Sequence, residues 1–276
     1  MPGTDSNPAI SVITVTYNSA SDFVDRAPVA QGFEWIVVDN ASVDNSADLA
    51  ERLGARVLRN EENRGFSAAN NAGARAALGD VLVFCNPDVH FDAPGLARLA
   101  EETTARRAVI APQLLNADGS MQENARGVPY PHRKLRHFFA KQQPGDVDQY
   151  LFYARPGQIR EIVWAIGAAV AIPTSDFWAI GGWNERYFIY YEDSDFCLRA
   201  RERGLPVLLD GSTRWFHRWD RATRKKFSWR AWRSEFRSAF IFYVSHPHCV
   251  LPVGARARRL LAVERRSRTE DAASDG

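Results

Sequence analysis

The stretch Gly79 to Phe91, GDVLVFCNPDVHF, does most to limit which folds are open to this chain. Its five consecutive apolar residues, Val81 to Cys85, suit a strand buried on both faces, as in a parallel sheet covered by helices. The run stops at Asn86-Pro87-Asp88, where proline has no N–H for a ladder and the chain must turn. A carboxylate therefore stands just past the carboxyl end of a core strand, where open α/β sheets hold their ligands. From the residues alone, Asp88 serves either a metal-and-phosphate site or the start of the following helix.

Three further apolar runs lead up to this stretch. Ile10 to Tyr17 (ISVITVTY), rich in β-branched residues, predicts a first strand, Phe33 to Asp39 a second and Ala55 to Leu58 a third. Helical patterns lie between them: Ser21 to Ala30, damaged by Pro28; Ser46 to Leu53, after the capping residues Asn40 to Asp44; and Arg64 to Leu78. Strands alternating with helices of about 10–15 residues predict an α/β chain with a parallel, doubly wound sheet. In such a sheet the polar clusters Thr16-Tyr17-Asn18, Asp39-Asn40 and Asn86-Pro87-Asp88 share one edge, which favours a nucleotide site over three unrelated caps. A Rossmann fingerprint is absent, because Tyr17-Asn18-Ser19 follows the first strand, and there is no Walker-type phosphate loop.

Past Phe91 the character changes. Gly95 to Arg106 predicts a helix, Ala108 to Leu115 an extended segment, and Gly127 to Gly157 a long, proline- and base-rich loop or insert. Ile159 to Ile172 returns to strand with a break at Gly167, Thr174 opens a short helix, and Gly181-Gly182-Trp183 makes a tight turn. Glu192 to Arg203 predicts a helix, Val207 to Leu209 and Thr213 to His217 two short strands, and the chain from Lys226 helix again, with an unstructured end after Arg268.

At 276 residues the chain can bury a full core. Cys85, Cys197 and Cys249 are far apart and lack metal-ligand spacing, which predicts reduced thiols and a cytoplasmic setting. No basic-then-apolar leader opens the sequence, and no apolar run reaches the ~20 residues that span a bilayer. The net charge of +2 conceals an asymmetry: from Arg214 onward there are 15 Lys and Arg against 6 Asp and Glu, interleaved with Trp229, Trp232, Phe236 and Phe240. Such a segment is either a solvated helix packed by its aromatic side or an interfacial helix on an anionic membrane surface. The second alternative makes the protein peripheral to the inner face of the cell membrane. No nucleic-acid partner is expected, and homo-oligomerisation is left open.

Glu192-Asp193-x-Asp195 opens a helix directly after the aromatic run Tyr187 to Tyr191. Carboxylates there are favoured by the helix dipole and cap exposed N–H groups, which can account for Glu192 and Asp195 entirely. An acidic cluster beside aromatic rings also suits a general base facing a sugar hydroxyl, and spacing does not decide between the two.

In this order, Val12 to Asn18 (VITVTYN), Val37 to Asp44 (VVDNASVD), Asn63 to Gly73 (NRGFSAANNAG), Asn86-Pro87-Asp88 and Tyr191 to Phe196 (YEDSDF) resemble the inverting family 2 glycosyltransferases. The pattern looks most like the bacterial rhamnosyltransferases of cell-wall and O-antigen assembly, and it runs from about Ile10 to His217. The resemblance implies a GT-A fold with a mostly parallel central sheet, a smaller mixed acceptor-side sheet and C-terminal helices. With the composition, this gives a disordered lead at 1–9, a transferase domain at 10–220, a basic aromatic helical region at 221–268 and a disordered tail at 269–276. Within the domain, 10–115 would be the nucleotide-sugar half and 116–220 the acceptor half.

The same resemblance implies roles. Thr16, Tyr17 and Asn18 would line the base and ribose pocket, and Asp39 would accept from the pyrimidine ring N–H, with Asn40 and Ser42 nearby. Arg64 would face the diphosphate or the base. Asp88 takes the place of the last carboxylate of an Asp-x-Asp motif, with Asn86 in place of the first, so this metal site is poorer in charge. Asp88 and His217 would hold Mg²⁺ or Mn²⁺. Asp193 would be the general base, with Glu192 contacting the acceptor or orienting the base. Trp164, Gly167, Trp183 and Asn184 would form acceptor and donor-sugar walls. Structural alternatives stand beside these roles: caps for Asn18 and Ser42, core positions for Trp164 and Trp183, and a surface His217 bonded to Asp220. The implied donor is a thymidine-diphosphate sugar, TDP-L-rhamnose first, and the implied acceptor a polyprenyl-diphosphate-linked sugar. A UDP-sugar transferase acting on another glycan, and a non-catalytic glycan-binding relative, are the competing readings. A sugar-nucleotide nucleotidyltransferase is disfavoured because Tyr17-Asn18-Ser19-Ala20 is nothing like its glycine-rich basic segment.

Overall fold

The computed structural model describes residues 9–24, 32–134, 150–218 and 229–274. In chain order the strands are β1 (Ile10–Thr16), β2 (Glu34–Asp39), β3 (Arg56–Arg59), β4 (Val81–Cys85), β5 (Val89–His90), β6 (Val109–Leu115), β7 (Ala125–Arg126), β8 (Leu151–Phe152), β9 (Ile159–Glu161), β10 (Trp164–Ala165), β11 (Ala169–Pro173) and β12 (Val207–His217). The helices are α1 (Ser46–Arg52), α2 (Gly65–Ala76), α3 (Ala93–Arg106), α4 (Thr174–Ala179), α5 (Glu192–Glu202), α6 (Trp229–Ser245) and α7 (Gly254–Ser274).

Among the described residues the main sheet has nine strands in the order β3-β2-β1-β4-β11-β6-β12-β5, with β9 paired to β12. The first four strands are mutually parallel, so the ends of β1, β2 and β4 do share one edge. Strand β11 then runs antiparallel to β4, and β12 runs parallel to β6. The opening apolar run behaves as a strand covered on both faces: Leu82 and Phe84 enter one core, and Val81, Val83 and Cys85 the other. Helices α2, α4 and α5 supply Ala74, Phe177 and Phe196 to the first core, while α1 and α3 supply Ala50, Leu96 and Leu99 to the second. Gly73 lets α2 lie close on β1, since a Cβ there would come 2.5 Å from Ile13 Cγ2.

The second sheet, β10-β7-β8, is small and antiparallel rather than mixed. Three local expectations are corrected. The segment 127–157, read as a long loop or insert, is packed into the fold at its ends, where Val128, Tyr130, Tyr150, Phe152 and Ala154 are buried and Leu151–Phe152 form a strand; 135–149 lie outside the described residues. Val207 to His217 is one strand, with a register shift between Asp210 and Arg214 that made it read as two. The chain after Arg268 continues α7 to Ser274, because that helix is anchored: Glu264 accepts from the Val128 N–H (3.2 Å) and pairs with Arg133 (2.9 Å). Of the helix read from Ser21 to Ala30, the described part holds the short turn Ala20–Asp22, and 25–31 lie outside the described residues. Helices α6 and α7 pack on the first core through Ile241, Phe242, Leu260 and Val263. No helix among the described residues is long and apolar enough to cross a membrane. The three cysteines are buried and free.

Candidate active site

Each strand end on the shared edge presents a polar group, and the loop beyond fixes its aim. At the end of β1, Thr16 is buried and its hydroxyl has no hydrogen-bond partner among the described residues, while the neighbouring Tyr17 is half exposed. Asn18 has a left-handed backbone (φ 53°) and straps two loops together: its N–H donates to Ser42 Oγ (2.9 Å) and its Oδ1 accepts from the Val43 N–H (2.8 Å). At the end of β2, Asp39 is 5% exposed. Its Oδ2 accepts from the Ser42 N–H (3.2 Å), but Oδ1 is buried with no partner among the described residues. Such an oxygen is costly unless a ligand brings a donor to it.

Asn40, the next residue, is fully used inside the protein. Its Nδ2 donates to Asn63 Oδ1 (3.0 Å) and Gly65 O (3.2 Å), and its Oδ1 accepts from Asn60 Nδ2 (3.0 Å) and the Arg64 N–H (3.1 Å). It positions the loop that carries the exposed Arg64 rather than reaching a ligand itself. That loop docks on the far half of the chain at Gly65. There φ is +82°, and a Cβ would sit 2.5 Å from the Phe188 carbonyl oxygen that receives the Phe66 N–H at 2.8 Å.

After β4, the Asn86 N–H donates to Ala168 O (2.8 Å) and Asn86 O accepts from the Val89 N–H (3.1 Å), closing the turn that carries Asp88. Asp88 Oδ2 lies 3.2 Å from His217 Nε2 at the end of β12. On the other side of the ring, Nδ1 is 2.6 Å from Gln122 Oε1. Gln122 Nε2 donates to Asn116 Oδ1 (3.0 Å) and His217 O (3.3 Å), which leaves Oε1 as the acceptor. Nδ1 therefore carries the proton, and in a neutral ring Nε2 and the carboxylate are two acceptors facing each other. A proton or a cation between them satisfies both. An imidazole and a carboxylate so placed, with the imidazole held from behind, suit a divalent metal. The expected alternative partner, Asp220, lies outside the described residues.

The acidic cluster reaches the same place through β10 and β11. The Gly167 N–H donates to Asp193 Oδ2 (3.3 Å), and the adjacent Ala168 is the residue bonded to Asn86. Two consecutive residues thus tie Asp193 to the turn bearing Asp88. Immediately before Glu192, Tyr190 (φ 71°) and Tyr191 (φ 68°) both adopt left-handed backbones, a conformation that costs an L-residue about 1–2 kcal/mol. Strain of this kind persists where surrounding structure enforces it, typically at functional sites.

Glu192 is buried and its Oε2 has no partner among the described residues. Burial, and then the Asp193 charge, push its carboxyl up to about 8. Beside it, Lys134 Nζ is 3.2 Å from Ser194 Oγ and sits over the rings of Tyr191 (3.6 Å), Trp164 (4.7 Å) and Phe242 (5.6 Å). Burial pulls this ammonium down to about 8, against the attraction of Asp193. Asp195 has a different life: burial opposes its charge, yet His246 (2.9 Å) and Arg199 (2.6 Å) hold it below the usual carboxylate range.

Trp164 is buried in the first core with Lys134 over its ring, whereas Thr16, Asp39, Asp88, His217, Gly167, Asp193 and Glu192 occupy or support the edge read from the sequence. Trp183 does not: it is fully buried, stacked on Phe196 (4.3 Å between centroids) and edge-on to Phe66 and Phe84, so it is a core residue and no sugar wall. Asn184 closes a local turn by accepting from the Arg186 N–H (3.2 Å). Gln122 and Lys134 escaped sequence reading. Gln122 meets His217 across 95 positions of chain, and Lys134 reads as one more base in a basic stretch.

The glycosyl transferase family 2 model matches residues 11–167 of the chain, more than half of it. The chain belongs to glycosyl transferase family 2. Among curated relatives of this family 2 chain is the low-salt glycan biosynthesis hexosyltransferase Agl10 of Haloferax volcanii. It is 27% identical over 207 residues, covering 72% of this chain and 63% of that protein. Another is the N-acetylglucosaminyl-diphospho-decaprenol L-rhamnosyltransferase of Mycobacterium tuberculosis, 26% identical over 189 residues and covering 61% of each. The chain spans a little under two thirds of the length of these two relatives. Among solved structures it is similar to GalNAc-T7 with UDP, GalNAc and Mn²⁺ (TM-score 0.61, 18% identity, 91% of this chain and 52% of that one). It also resembles a Pyrobaculum calidifontis mannosyltransferase with GDP-Man and Mn²⁺ (TM-score 0.51, 16% identity, 98% and 80%). These likenesses carry the fold, which is GT-A.

Proposed function

We propose that this family 2 chain transfers a sugar from a nucleotide-sugar donor to a glycan hydroxyl with inversion at the anomeric carbon. The observation that carries the proposal is the joining of Asp193 to the Asp88 turn through Gly167 and Ala168. Asp39 Oδ1, buried and lacking a donor among the described residues, suits the ring N–H of a pyrimidine base, with Thr16 and Tyr17 beside it and Arg64 facing the phosphates. Asp193 takes the proton of the acceptor hydroxyl as that oxygen attacks the anomeric carbon, and the nucleoside diphosphate departs from the opposite face. Below about pH 8 Glu192 is neutral and places no like charge beside this base. Asp88 and His217 would hold Mg²⁺ or Mn²⁺, which would supply positive charge for the leaving diphosphate. Asn86 adds an amide but no charge to that site, which favours modest metal affinity.

The relative named as an L-rhamnosyltransferase acting on a diphospho-decaprenol-linked sugar favours a TDP-L-rhamnose donor and a polyprenyl-diphosphate-linked acceptor. UDP and GDP-Man in the similar structures favour a second reading, a UDP- or GDP-sugar donor with another glycan acceptor. Contact with an anionic membrane is supported by an exposed apolar stripe on α6, Phe236, Phe240 and Val244, four residues apart. Exposed Leu251 and Val253 follow it, and Arg233, Arg237 and Arg258 lie nearby in the chain and exposed. Release of nucleoside diphosphate from a panel of TDP-, UDP- and GDP-sugars, with and without Mn²⁺, tests the proposal. One donor consumed in a metal- and acceptor-dependent way supports it, and no turnover of any donor with any lipid-linked or free glycan acceptor refutes it.

A further inference from the structure

Away from the shared edge, the connection between α6 and α7 lies against the far end of α5. His246 is buried; its Nε2 is 2.9 Å from Asp195 Oδ1, and its Nδ1 is buried with no partner among the described residues. His248, on the short turn Pro247–Cys249, is also buried, and its ring lies 5.7 Å from that of His246, at 89° to it. Glu202 closes α5. One ligand atom from each of Glu202, His246 and His248 lies within 4.8 Å of the others. Two acceptor-capable imidazoles and a carboxylate meet here, and one ring nitrogen is desolvated without compensation.

We propose that Glu202, His246 and His248 form a three-ligand zinc site, separate from the site at Asp88. Two imidazoles and a carboxylate are a zinc donor set, whereas Mg²⁺ prefers oxygen alone. The supporting contact has the form that metal-bound histidines use: His246 donates its Nε2–H to the Asp195 carboxylate, which leaves the Nδ1 lone pair for the metal. In a tetrahedral site with Zn–N of about 2.0–2.1 Å, ligand atoms stand ~3.3 Å apart. The three ligand atoms lie within 4.8 Å of one another, so a bound metal would draw them closer, and the most exposed of the three is Glu202. Its Oε1 pairs with Arg256 (3.1 Å), and the second oxygen completes the set. A cavity of about 470 Å³, lined by Glu202, His248, Arg256 and Arg259, adjoins the cluster, and three protein ligands would leave the fourth position to a water. The site clamps the α6–α7 connection to the helix whose first turn carries Glu192 and Asp193.

The test uses the full, untagged chain stripped with chelator and titrated with Zn²⁺ against a chromophoric competitor. Thermal unfolding is followed in parallel. The wild type and Asp88→Asn each bind about one equivalent of Zn²⁺ at this site and gain thermal stability from it. His248→Ala weakens that binding by more than about tenfold, since a direct ligand matters no less than the outer partners whose loss costs 10–100-fold. Glu202→Gln, a conservative change near the surface, weakens it too and serves where His248→Ala fails to fold. Zinc bound as tightly by both variants as by the wild type, no zinc bound by the wild type, or zinc lost in Asp88→Asn alone overturns the proposal.

Discussion

Glu192 offers a direct reading of the electrostatics around the proposed base. In the folded chain burial and the adjacent Asp193 push its carboxyl up to about 8, against an ordinary 4.5. A carboxyl raised in this way binds its proton more tightly when folded. Stability is therefore highest below about pH 4.5 as far as this group is concerned, and it falls as pH rises toward the folded value. While the folded state holds one extra proton the slope is about 1.4 kcal/mol per pH unit. From about pH 5 to about pH 8 the loss attributable to Glu192 is then on the order of 3 kcal/mol. Lys134, lowered to about 8 from 10.5, acts in the opposite sense and in a higher window, gaining stability above about pH 8. The perturbation is Glu192→Gln, which keeps the shape and removes the titration. Urea unfolding of both chains across pH 5–8, compared as a difference, cancels the side chains that do not interact with Glu192, leaving Glu192 with its charged neighbours Asp193 and Lys134. The wild type should lose on the order of 3 kcal/mol more than the variant over that range. Parallel curves would show that Glu192 is ionised in the folded state at neutral pH, and the account of a neutral partner beside Asp193 would fail.

Three further outcomes follow from the same contacts. Gly65→Ala puts a Cβ 2.5 Å from the Phe188 carbonyl oxygen at a φ of +82°, and should cost more than about 2 kcal/mol in urea unfolding; a change under about 0.5 kcal/mol contradicts the docking described. Gln122→Ala leaves the His217 Nδ1–H without its 2.6 Å acceptor and should weaken Mn²⁺ binding about 10–100-fold in a nucleotide-saturated titration; unchanged affinity removes His217 as a ligand. Phe236→Ser with Phe240→Ser should abolish most binding to phosphatidylglycerol vesicles in a sedimentation assay while leaving turnover of a water-soluble acceptor intact; vesicle binding equal to the wild type rules out the stripe on α6 as a membrane contact.

Much of the fold could be read from local pattern. The β-branched runs at Ile10, Glu34 and Val81 announce themselves because each must pack on both faces, and the polar residues that end them mark the ligand edge. What stayed hidden depends on partners distant in sequence. Asn40 looks like a ligand contact until its side chain is found committed to Asn60, Asn63, Arg64 and Gly65. Trp183 looks like a sugar platform until Phe196 is found stacked beneath it. Asp195 is indistinguishable from Asp193 in the string of letters, and only Arg199 and His246 show that it is a structural anion. Lys134 carried no signal at all, because its environment is assembled from Trp164, Tyr191 and Phe242.

The central claim is that Asp193 removes the acceptor proton. Its amide replacement keeps the 2.7 Å bond from the Ser194 N–H and gives up only the longer contact from Gly167, so the fold and the donor pocket should survive. The decisive measurement is kcat of Asp193→Asn with the donor that the panel identifies, alongside donor affinity. A fall of about 10²–10⁴-fold in kcat, with donor binding within about twofold of the wild type, is the predicted result. A variant that turns over at close to the wild-type rate would contradict it.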